Sequence, residues 1–438
     1  MSREIERKLT QAIEQRDVRC GVIGLGYVGL PLATVLASAG FDVTGFDIVE
    51  DRCVQLNDGC SYIKDVDSAR LSALVAAGRF RATTDFSALA GMDTINICVP
   101  TPLRKTKDPD VSFIVSAVEE IARHLRAGQL VILESTTYPG TTEELIVPIL
   151  EKTGLRAAVD FFVAFSPERV DPGNSRFQTR NIPKVVGGYS ESATRVAVKL
   201  YEASVEQVVP VSSTRVAEMV KLHENTFRSV NIGMVNELAL MCNALGIDVW
   251  EVVDAAATKP FGFMAFYPGP GLGGHCIPID PFYLSWKAKQ HGFEARFIEL
   301  AGHVNTAMPK YVATRVSESL NSRERAVRGA RVLLLGVAYK PDVDDLRESP
   351  ALDVLAELRR WGATVSYCDP LIPSFEYGGE SLESLVFSQG VLDQHDCVVI
   401  LTDHSGMNYG LLEATDGPVV VDTRNALKGV AGAHIFRL

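Results

Sequence analysis

The stretch RCGVIGLGYVGLPLATVLASAGFDVTGFD, residues 19 to 47, contains the full pattern of a strand, a glycine turn, a helix and a second strand. Gly24, Gly26 and Gly29 supply G-x-G-x-x-G where the first strand meets the helix, and there the backbone can approach a pyrophosphate. Asp47 ends the second strand, where an acid takes the ribose hydroxyls of a dinucleotide. Because an acid repels a 2'-phosphate, the pattern predicts NAD rather than NADP.

The alternation of strands and helices continues beyond this unit. Apolar segments at 92–102, 128–142 and 161–174 end in polar, small or proline-rich turns, and 111–126 has a helical pattern. This order predicts a doubly wound sheet, which binds ligands at the carboxyl edge of its strands. The residues expected at that edge are Thr101, Ser135, Thr136 and Glu168. Spacing alone leaves open whether Thr136 meets a ligand or only satisfies its own turn.

A long helical pattern at 212–245 has a serine N-cap and ends before Gly246. Its length and apolar character predict a helix that bridges two domains and supports a dimer. Glu218, Lys221 and Asn225 follow helical spacing, with the last two one turn apart on the same face. Spacing alone favours an ordinary solvated face of lysine and glutamate.

The loop YPGPGLGGHCIPIDPFYL, residues 267 to 284, places Cys276 on a stiff segment of glycines and prolines. A helix is predicted to follow, with Asp280 as its N-cap and Pro281 in its first turn. Considered alone, Cys276 fits a buried and unreactive thiol better than a nucleophile.

A charged break at 321–330 precedes a second series of strands and helices. One predicted strand ends at Asp369, and further strands are predicted at 396–402 and 418–425. The pattern indicates a second nucleotide-binding-like unit without the glycine fingerprint. Basic residues expected just past its strand ends, where phosphate could bind, are Lys340, Arg347 and Arg424. Arg347 is expected to be an isolated cation in an acidic loop.

Composition places these 438 residues, 47% hydrophobic and 22% charged, among globular proteins of two or three domains. The net charge of −11 argues against a nucleic-acid partner. A charged start and the lack of a long apolar run predict a cytoplasmic protein without a membrane partner. Eight scattered cysteines indicate neither a metal site nor a disulfide framework. The predicted division is an N-terminal extension (1–17), an NAD-binding domain (18–210), a central helical domain (211–320) and a substrate-binding Rossmann-like domain (321–438).

From about residue 18 onward, the chain resembles the nucleotide-sugar 6-dehydrogenase family, the UDP-glucose and GDP-mannose dehydrogenases. The motifs that carry the resemblance are GLGYVGLPLA, STTYPGTT, SPERVDPGN, EMVKLHENTFRSVNI, GGHCIPIDP and AYKPDVDDLRESP. The cysteine loop looks most like the branch that oxidises UDP-N-acetylglucosamine for capsule and O-antigen polysaccharides. The resemblance implies an α/β fold of two Rossmann-like doubly wound domains, joined by a long central helix and a small helical domain. It also implies a homodimer or higher homo-oligomer.

The family's activity is a four-electron oxidation of a sugar C6 hydroxyl to a carboxylate, with NAD as the hydride acceptor. Its intermediates are a thiohemiacetal and a thioester on a cysteine, which explains a thiol on a rigid loop with small neighbours. The catalytic roles that the resemblance implies are nucleophile for Cys276, proton transfer and water activation for Lys221 and Asp280, polarisation of the C6 oxygen for Asn225, the acid of the Ser-Pro-Glu motif for Glu168, and water positioning for Thr136.

Further residues are expected to bind the two ligands. The expected cofactor-binding residues are Gly24, Gly26, Tyr27, Val28, Gly29, Asp47, Arg52, Thr101, Ser135, Thr136 and Arg347. The expected substrate-binding residues are Glu168, Arg169, Val170, Lys221, Asn225, Tyr267, Gly269, Gly271, Gly273, Tyr339, Lys340 and Arg424. The chain departs from the family at Pro260, where many members carry an arginine that serves the neighbouring subunit, and Lys259 is the nearby candidate substitute. The RVDPGN turn after Glu168 points to a sugar other than glucose.

The expected reaction converts UDP-N-acetyl-D-glucosamine to UDP-N-acetyl-D-glucosaminuronate. UDP-glucose, UDP-N-acetylgalactosamine and UDP-N-acetylmannosamine remain alternative substrates. A single-step β-hydroxyacid-type dehydrogenase shares the glycine fingerprint and a K-x-x-x-N helix, but would yield one NADH per substrate. A non-catalytic nucleotide-binding protein is the third possibility, and the intact thiol, lysine, aspartate and glutamate argue against it.

Overall fold

The computed structural model describes residues 2–104, 108–171, 176–274, 276–413, 417–432 and 434–438. Residues 172–174, the end of the SPERVDPGN motif, and His275 of the cysteine loop lie outside this set. The chain folds into two compact units, the first formed by Met1–Glu224 with Trp286–Gly292 and the second by Asn225–Ser285 with Phe293–Leu438. The domain boundaries given by the sequence remain predictions.

Helices and strands alternate along most of the chain. The helices are α1 (Ser2–Gln15), α2 (Gly29–Ser38), α3 (Glu50–Asn57), α4 (Ser68–Ala76), α5 (Ser112–His124), α6 (Val147–Glu151), α7 (Glu191–Glu202), α8 (Thr214–Leu245), α9 (Val249–Ala257), α10 (Asp280–Gln290), α11 (Arg296–Asn321), α12 (Pro350–Arg360) and α13 (Gln389–Leu392). Short 3₁₀ helices span Phe86–Gly91 and Tyr409–Leu412, and a π-helical turn spans Thr142–Ile146. The strands are β1 (Arg19–Ile23), β2 (Asp42–Phe46), β3 (Phe80–Thr83), β4 (Thr94–Ile97), β5 (Leu130–Leu133), β6 (Phe162–Phe165), β7 (Lys184–Gly188), β8 (Val208–Val211), β9 (Arg331–Leu335), β10 (Thr364–Cys368), β11 (Ser374–Tyr377), β12 (Glu380–Glu383), β13 (Cys397–Ile400), β14 (Val419–Asp422) and β15 (Ile435–Arg437).

The first unit is built on a sheet with strand order β3-β2-β1-β4-β5-β6-β7-β8. The strands from β3 to β6 run parallel, β7 is antiparallel to β6, and β8 is parallel to β7. Strands β4, β5 and β6 are buried along their whole length, as expected where helices cover both faces of a sheet. The order of the first six strands is that of dinucleotide-binding folds, with a ligand crevice where the chain switches direction between β1 and β4.

The second unit contains a parallel sheet with strand order β10-β9-β13-β14-β15. Val312, Val316 and Leu320 of α11 pack in one core with Leu334 of β9. Strands β11 and β12 form a separate antiparallel hairpin. The predicted α/β class with two doubly wound sheets is therefore confirmed.

The long central helix is α8, with 32 residues. Ser213 is its N-cap, because its Oγ accepts a hydrogen bond from Val216 N at 3.3 Å. Gly246 follows the helix with φ +69°, a conformation that favours glycine. The boundary between the two compact units falls inside α8. Among the helices of the described residues, none is long and apolar enough to cross a membrane.

The helix after the cysteine begins earlier than predicted. Asp280 is the first residue of α10 rather than its N-cap. The Asp280 amide already donates to Cys276 O at 2.8 Å, which is the spacing of an α-helical hydrogen bond. The backbone therefore takes up a helical turn from Cys276 onward.

Candidate active-site residues

The three glycines of the first turn have different surroundings. Gly24 has φ +87°, and a Cβ on it would lie 2.7 Å from Cys98 O. A Cβ on Gly29 would lie 1.8 Å from Gly24 O, so this position must lack a side chain for the helix to meet the strand. Among the described residues, none has an atom within 4 Å of a Cβ placed on Gly26. Gly26 therefore leaves open space beside the backbone, which is the surface that a pyrophosphate requires.

Asp47 is tied to this turn. Its carboxylate is 6% exposed and accepts hydrogen bonds from Leu25 N at 3.0 Å and Val49 N at 3.1 Å. Arg52 Nη1 lies 3.8 Å from Asp47 Oδ2, and the Arg52 guanidinium lies over the Tyr62 ring. The open position at Gly26 and the acid at the end of β2 together fit NAD, with its pyrophosphate on the turn and a ribose near Asp47.

Other expected cofactor residues lie in the same unit. Ser135 follows β5, and its Oγ donates to Val99 O in the segment after β4 at 2.7 Å. Thr101 and Thr136 are partly buried in the segments that follow β4 and β5. Tyr27 and Val28 belong to the glycine turn, where Tyr27 is 48% exposed. The edge predicted for Thr101, Ser135 and Thr136 is therefore the carboxyl edge of neighbouring parallel strands.

Glu168 follows β6 at this edge. Its Oε1 accepts hydrogen bonds from the amides of Arg169 at 2.8 Å and Val170 at 2.9 Å. Its Oε2 is buried and has no hydrogen-bond partner among the described residues. The Arg169 guanidinium pairs with Glu224 at 2.6 Å. One oxygen of Glu168 is thus fixed by the backbone, and the other is an unused acceptor.

A buried charged cluster beside Glu168 was not predicted from the sequence. Lys184 Nζ donates to Glu134 Oε2 at 2.8 Å, and Glu134 Oε1 accepts from the Tyr201 hydroxyl and from Asn96 Nδ2. Burial lowers the pKa of Lys184, but the negative charges of Glu134 and Glu168 outweigh burial and raise it above its usual value. The signal in the sequence is a charged residue beside each of two apolar strands, Glu134 directly after β5 and Lys184 at the start of β7, and the pairing depends on the strand order.

Lys221 and its neighbours on α8 are buried. Lys221 is 6% exposed, Asn225 is 1% exposed and Glu218 is fully buried. The interpretation of this face as solvated is therefore wrong. Glu218 accepts hydrogen bonds from Gly140 N at 2.5 Å and Thr142 N at 2.9 Å, which anchors the segment that follows Thr136. Burial raises the pKa of Glu218 to about 7.

The second unit holds the cysteine and two of its expected helpers. Cys276 is partly buried, and its carbonyl accepts hydrogen bonds from Ile279 N at 3.1 Å and Asp280 N at 2.8 Å. Asp280 is 3% exposed, and its carboxylate accepts a hydrogen bond from Asn225 Nδ2. Arg228 donates to Asn225 Oδ1, which orients the amide towards Asp280. A tight turn thus joins the thiol to a buried, oriented carboxylate.

The glycines of the cysteine loop face protein side chains. A Cβ on Gly273 would lie 2.7 Å from Tyr339 Cβ, and one on Gly274 would lie 2.8 Å from Tyr339 Cε2. A Cβ on Gly269 would lie 2.5 Å from Arg424 Nη1. The sequence analysis explained the small residues of this loop by the close approach of a sugar. In the structure they let the loop lie against Tyr339 and Arg424, two expected substrate contacts.

The remaining predicted residues of this unit lie near the same loop. Gly271 has φ +138°, and a Cβ on it would lie 3.0 Å from Pro350 Cβ. Lys340 is partly buried in the segment after β9. Arg347 Nη2 pairs with Asp345 Oδ2 at 2.7 Å, so the prediction of an isolated cation is wrong. An acidic loop offers its arginine a partner two residues away.

A cavity of about 360 Å³ lies within the second unit. It is lined by Trp250, Asp254, Tyr267, Pro268, Asp403, Arg424, Asn425 and Lys428. Tyr267 stacks on Trp250 with ring centroids 5.9 Å apart, and its hydroxyl donates to Asp254 at 2.8 Å. Lys428 pairs with Asp254 at 2.7 Å. The aromatic faces can stack on a planar base, and the adjacent Arg424 and Lys428 can bind phosphate.

The glycine turn, the acid at the end of β2 and the strand order define an NAD-binding oxidoreductase. The model of the UDP-glucose/GDP-mannose dehydrogenase family matches in three parts, as NAD binding domain at residues 18–205, central domain at 215–307 and UDP binding domain at 333–429. The chain belongs to this family. The predictions of family, of an NAD-dependent enzyme and of NAD as cofactor are confirmed.

The chain is similar along nearly its whole length to named members of the family. It is 37% identical over 425 residues to a UDP-N-acetyl-D-mannosamine dehydrogenase of Pyrococcus horikoshii, covering 96% of this chain and 98% of the relative. It is 39% identical over 369 residues to a UDP-N-acetyl-D-glucosamine 6-dehydrogenase of Pseudomonas aeruginosa, covering 83% and 86%. The solved structure of a UDP-D-ManNAc dehydrogenase from Pyrococcus horikoshii superposes with a TM-score of 0.87 at 35% identity, covering 96% of this chain and 98% of that one.

Proposed function

We propose that this enzyme oxidises the C6 hydroxyl of a UDP-N-acetylhexosamine to the carboxylate, with UDP-N-acetyl-D-glucosamine as its substrate and the glucosaminuronate as product. The observation that carries the proposal is the turn that joins Cys276 to the buried pair of Asp280 and Asn225. Relatives that act on UDP-N-acetyl sugars support this substrate class.

Cys276 retains the intermediate between the two oxidations. NAD, when bound at the glycine turn, accepts the hydrides that leave C6. The Cys276 sulfur adds to the C6 aldehyde and forms a thiohemiacetal, so that the aldehyde is not released. Loss of the second hydride leaves a thioester, which water hydrolyses to the carboxylate and the free thiol. Hydrogen bonds from Ile279 N and Asp280 N to the Cys276 carbonyl hold the main chain from which the thiol projects.

The other predicted residues hold or move protons. Asp280 is a buried carboxylate oriented by Asn225, and with Lys221 it takes up and returns the protons of the C6 oxygen. Thr136 positions the hydrolytic water. Glu168 accepts a proton from that water, because its Oε2 is a buried acceptor without a donor among the described residues.

The nucleotide part of the substrate is assigned to the cavity beside Tyr267. The exposed face of Tyr267, already stacked on Trp250, suits the uracil ring. Arg424 and Lys428 supply positive charge for the diphosphate. Tyr339 lies against the cysteine loop at Gly273, which favours a substrate contact there.

The test counts electrons and products with a panel of UDP-sugars. Each UDP-N-acetylglucosamine should yield two NADH and one uronate, with no aldehyde released. Cys276→Ala should abolish acid formation, while Cys276→Ser should trap an ester that is visible by intact mass, because an oxygen ester hydrolyses more slowly than a thioester. Cys60→Ala, which removes an exposed thiol of the first unit, is the matched control. Two NADH per sugar from the Cys276→Ala protein would contradict the covalent mechanism.

UDP-N-acetyl-D-mannosamine is the second candidate substrate. The Pyrococcus horikoshii relative named for that sugar matches 96% of this chain, against 83% for the relative named for UDP-N-acetyl-D-glucosamine. The two sugars differ in configuration at C2, far from the oxidised carbon. A comparison of kcat/KM for both sugars, measured with the same enzyme preparation, assigns the substrate.

We further propose that the enzyme is a homodimer in the cytoplasm. Phe227, Met234 and Met241 are 42%, 59% and 53% exposed on α8. Their seven-residue spacing places them on one face of the helix, where an apolar stripe favours contact with a second copy of the chain. The described residues include all eight cysteines, and none of these forms a disulfide bond, which suits the reducing cytoplasm and a nucleophilic thiol.

A further inference from the structure

The buried cluster beside Glu168 contains one cation and two carboxylates. Lys184 is 4% exposed and Glu134 is 1% exposed, while the Glu168 side chain is 13% exposed. Lys184 Nζ lies 2.8 Å from Glu134 Oε2 and 4.0 Å from Glu168 Oε2. The lysine thus faces both acids.

Glu134 is held by more groups than a single ion pair requires. Its Oε1 accepts hydrogen bonds from the Tyr201 hydroxyl and from Asn96 Nδ2, the latter at 3.0 Å. Burial and the adjacent Glu134 raise the pKa of Tyr201 well above its usual value, so the phenol remains a donor. Glu134 is therefore fixed, and it anchors the lysine at one end.

Glu168 is fixed on one side only. The amides of Arg169 and Val170 hold its Oε1, while Oε2 is buried and faces the Lys184 ammonium across 4.0 Å. A buried carboxylate oxygen without a donor is unfavourable unless a charge compensates for it. Among the described residues, Lys184 is the cation within ion-pair distance of this oxygen.

We infer that Lys184 is a positioning residue that orients Glu168 for hydrolysis of the thioester, with Glu134 as the anchor of Lys184. The inference rests on the proposed function, since it assigns Glu168 to the hydrolytic step. In that step water adds to the thioester carbonyl and the C–S bond breaks with its electron pair on Cys276. The proton of the water passes to Glu168, whose Oε2 faces Lys184 Nζ across 4.0 Å.

The test uses a neutral replacement of the ion pair. Lys184→Met alone would leave Glu134 buried without its cation, and the protein could then lose stability for that reason only. The double variant Lys184→Met/Glu134→Gln removes both charges, and the glutamine keeps an acceptor for Tyr201 and Asn96. Glu134→Gln alone keeps Lys184 facing Glu168, and it is the matched control.

Three readouts separate positioning from structure: the thermal unfolding midpoint, kcat and KM for the UDP-sugar, and the intact mass of enzyme quenched during turnover. We expect the double variant to fold like Glu134→Gln and to keep its kcat/KM, because slower hydrolysis of an accumulating acyl-enzyme lowers kcat and KM together. Its kcat should be lower by on the order of 10-fold or more, and an acyl-enzyme adduct should accumulate. The first turnover should still yield a burst of two NADH per site, because only hydrolysis is slowed.

Equal kcat for the double variant and Glu134→Gln, with no adduct, would show that the cluster only stabilises the fold and would overturn the inference. A lower kcat without an adduct or burst would assign Lys184 to a step before hydrolysis, which also overturns it. A wild-type enzyme that forms no NADH with any UDP-sugar would instead contradict the proposed function.

Discussion

Alanine substitutions at Gly26 and Gly29 should separate cofactor binding from folding within one turn. A Cβ on Gly26 meets no atom of the described part of the chain within 4 Å, so Gly26→Ala should leave stability unchanged and place a methyl group where the pyrophosphate approaches. Overpacking of about 1–3 kcal/mol would weaken NAD binding roughly 5- to 150-fold. A Cβ on Gly29 would lie 1.8 Å from Gly24 O, which is backbone and has little freedom to move. Gly29→Ala should therefore weaken NAD binding and also lower the unfolding midpoint by roughly 2–12 °C.

The assay pairs calorimetric titration with NAD and thermal unfolding without cofactor. Gly78→Ala is the control, because Gly78 has φ +69° and a Cβ added there would meet no atom within 4 Å. It should lose about 1 kcal/mol of stability without a change in the Kd for NAD. If Gly26→Ala binds NAD as tightly as the unmodified protein, the turn does not meet the cofactor. If Gly29→Ala unfolds at the same temperature as the unmodified protein, Gly29 does not lie as close to the Gly24 carbonyl as the structure has it.

Glu218→Gln tests the buried acid: because burial raises the Glu218 pKa from 4.5 to about 7, its contribution to stability is complete below about pH 4.5 and is lost as pH rises through 7. In urea unfolding, the free energy of unfolding of the variant should rise by up to roughly 3 kcal/mol relative to that of the unmodified protein between pH 4.5 and 8. A difference between the two proteins that stays constant with pH would contradict burial as the cause of the raised pKa. Asp47→Ser should reduce the ratio of kcat/KM for NAD to kcat/KM for NADP. Arg52 lies 3.8 Å from Asp47, and without the acid it would face a 2'-phosphate. Equal use of both cofactors by the unmodified protein would refute the role of Asp47. Met234→Glu should convert a dimer to a monomer in light scattering, whereas Val386→Glu, in an exposed loop, should not; an unchanged mass for Met234→Glu would exclude this stripe as the interface.

The local features of the nucleotide-binding unit could be predicted from short stretches of sequence. Gly24 and Gly26 lie in the turn between β1 and α2, and Asp47 directly follows β2, as the spacing predicted, because each depends on a few neighbouring residues. The alternation of buried strands with helices predicted both doubly wound sheets, since fully buried parallel strands require continuous apolar runs. The motif order around Cys276 likewise identified the family.

The contacts between side chains of distant elements could be learned only from the folded chain. Lys184 and Glu134 are 50 positions apart, and they pair because β5, β6 and β7 are neighbours in the sheet. The burial of Lys221 depends on what packs against α8, whereas helical spacing also fits a solvated face. Gly273 makes room for Tyr339 rather than open space, which no local pattern reveals. Long-range contacts depend on strand order and on packing between distant segments, and local patterns in the sequence determine neither of them.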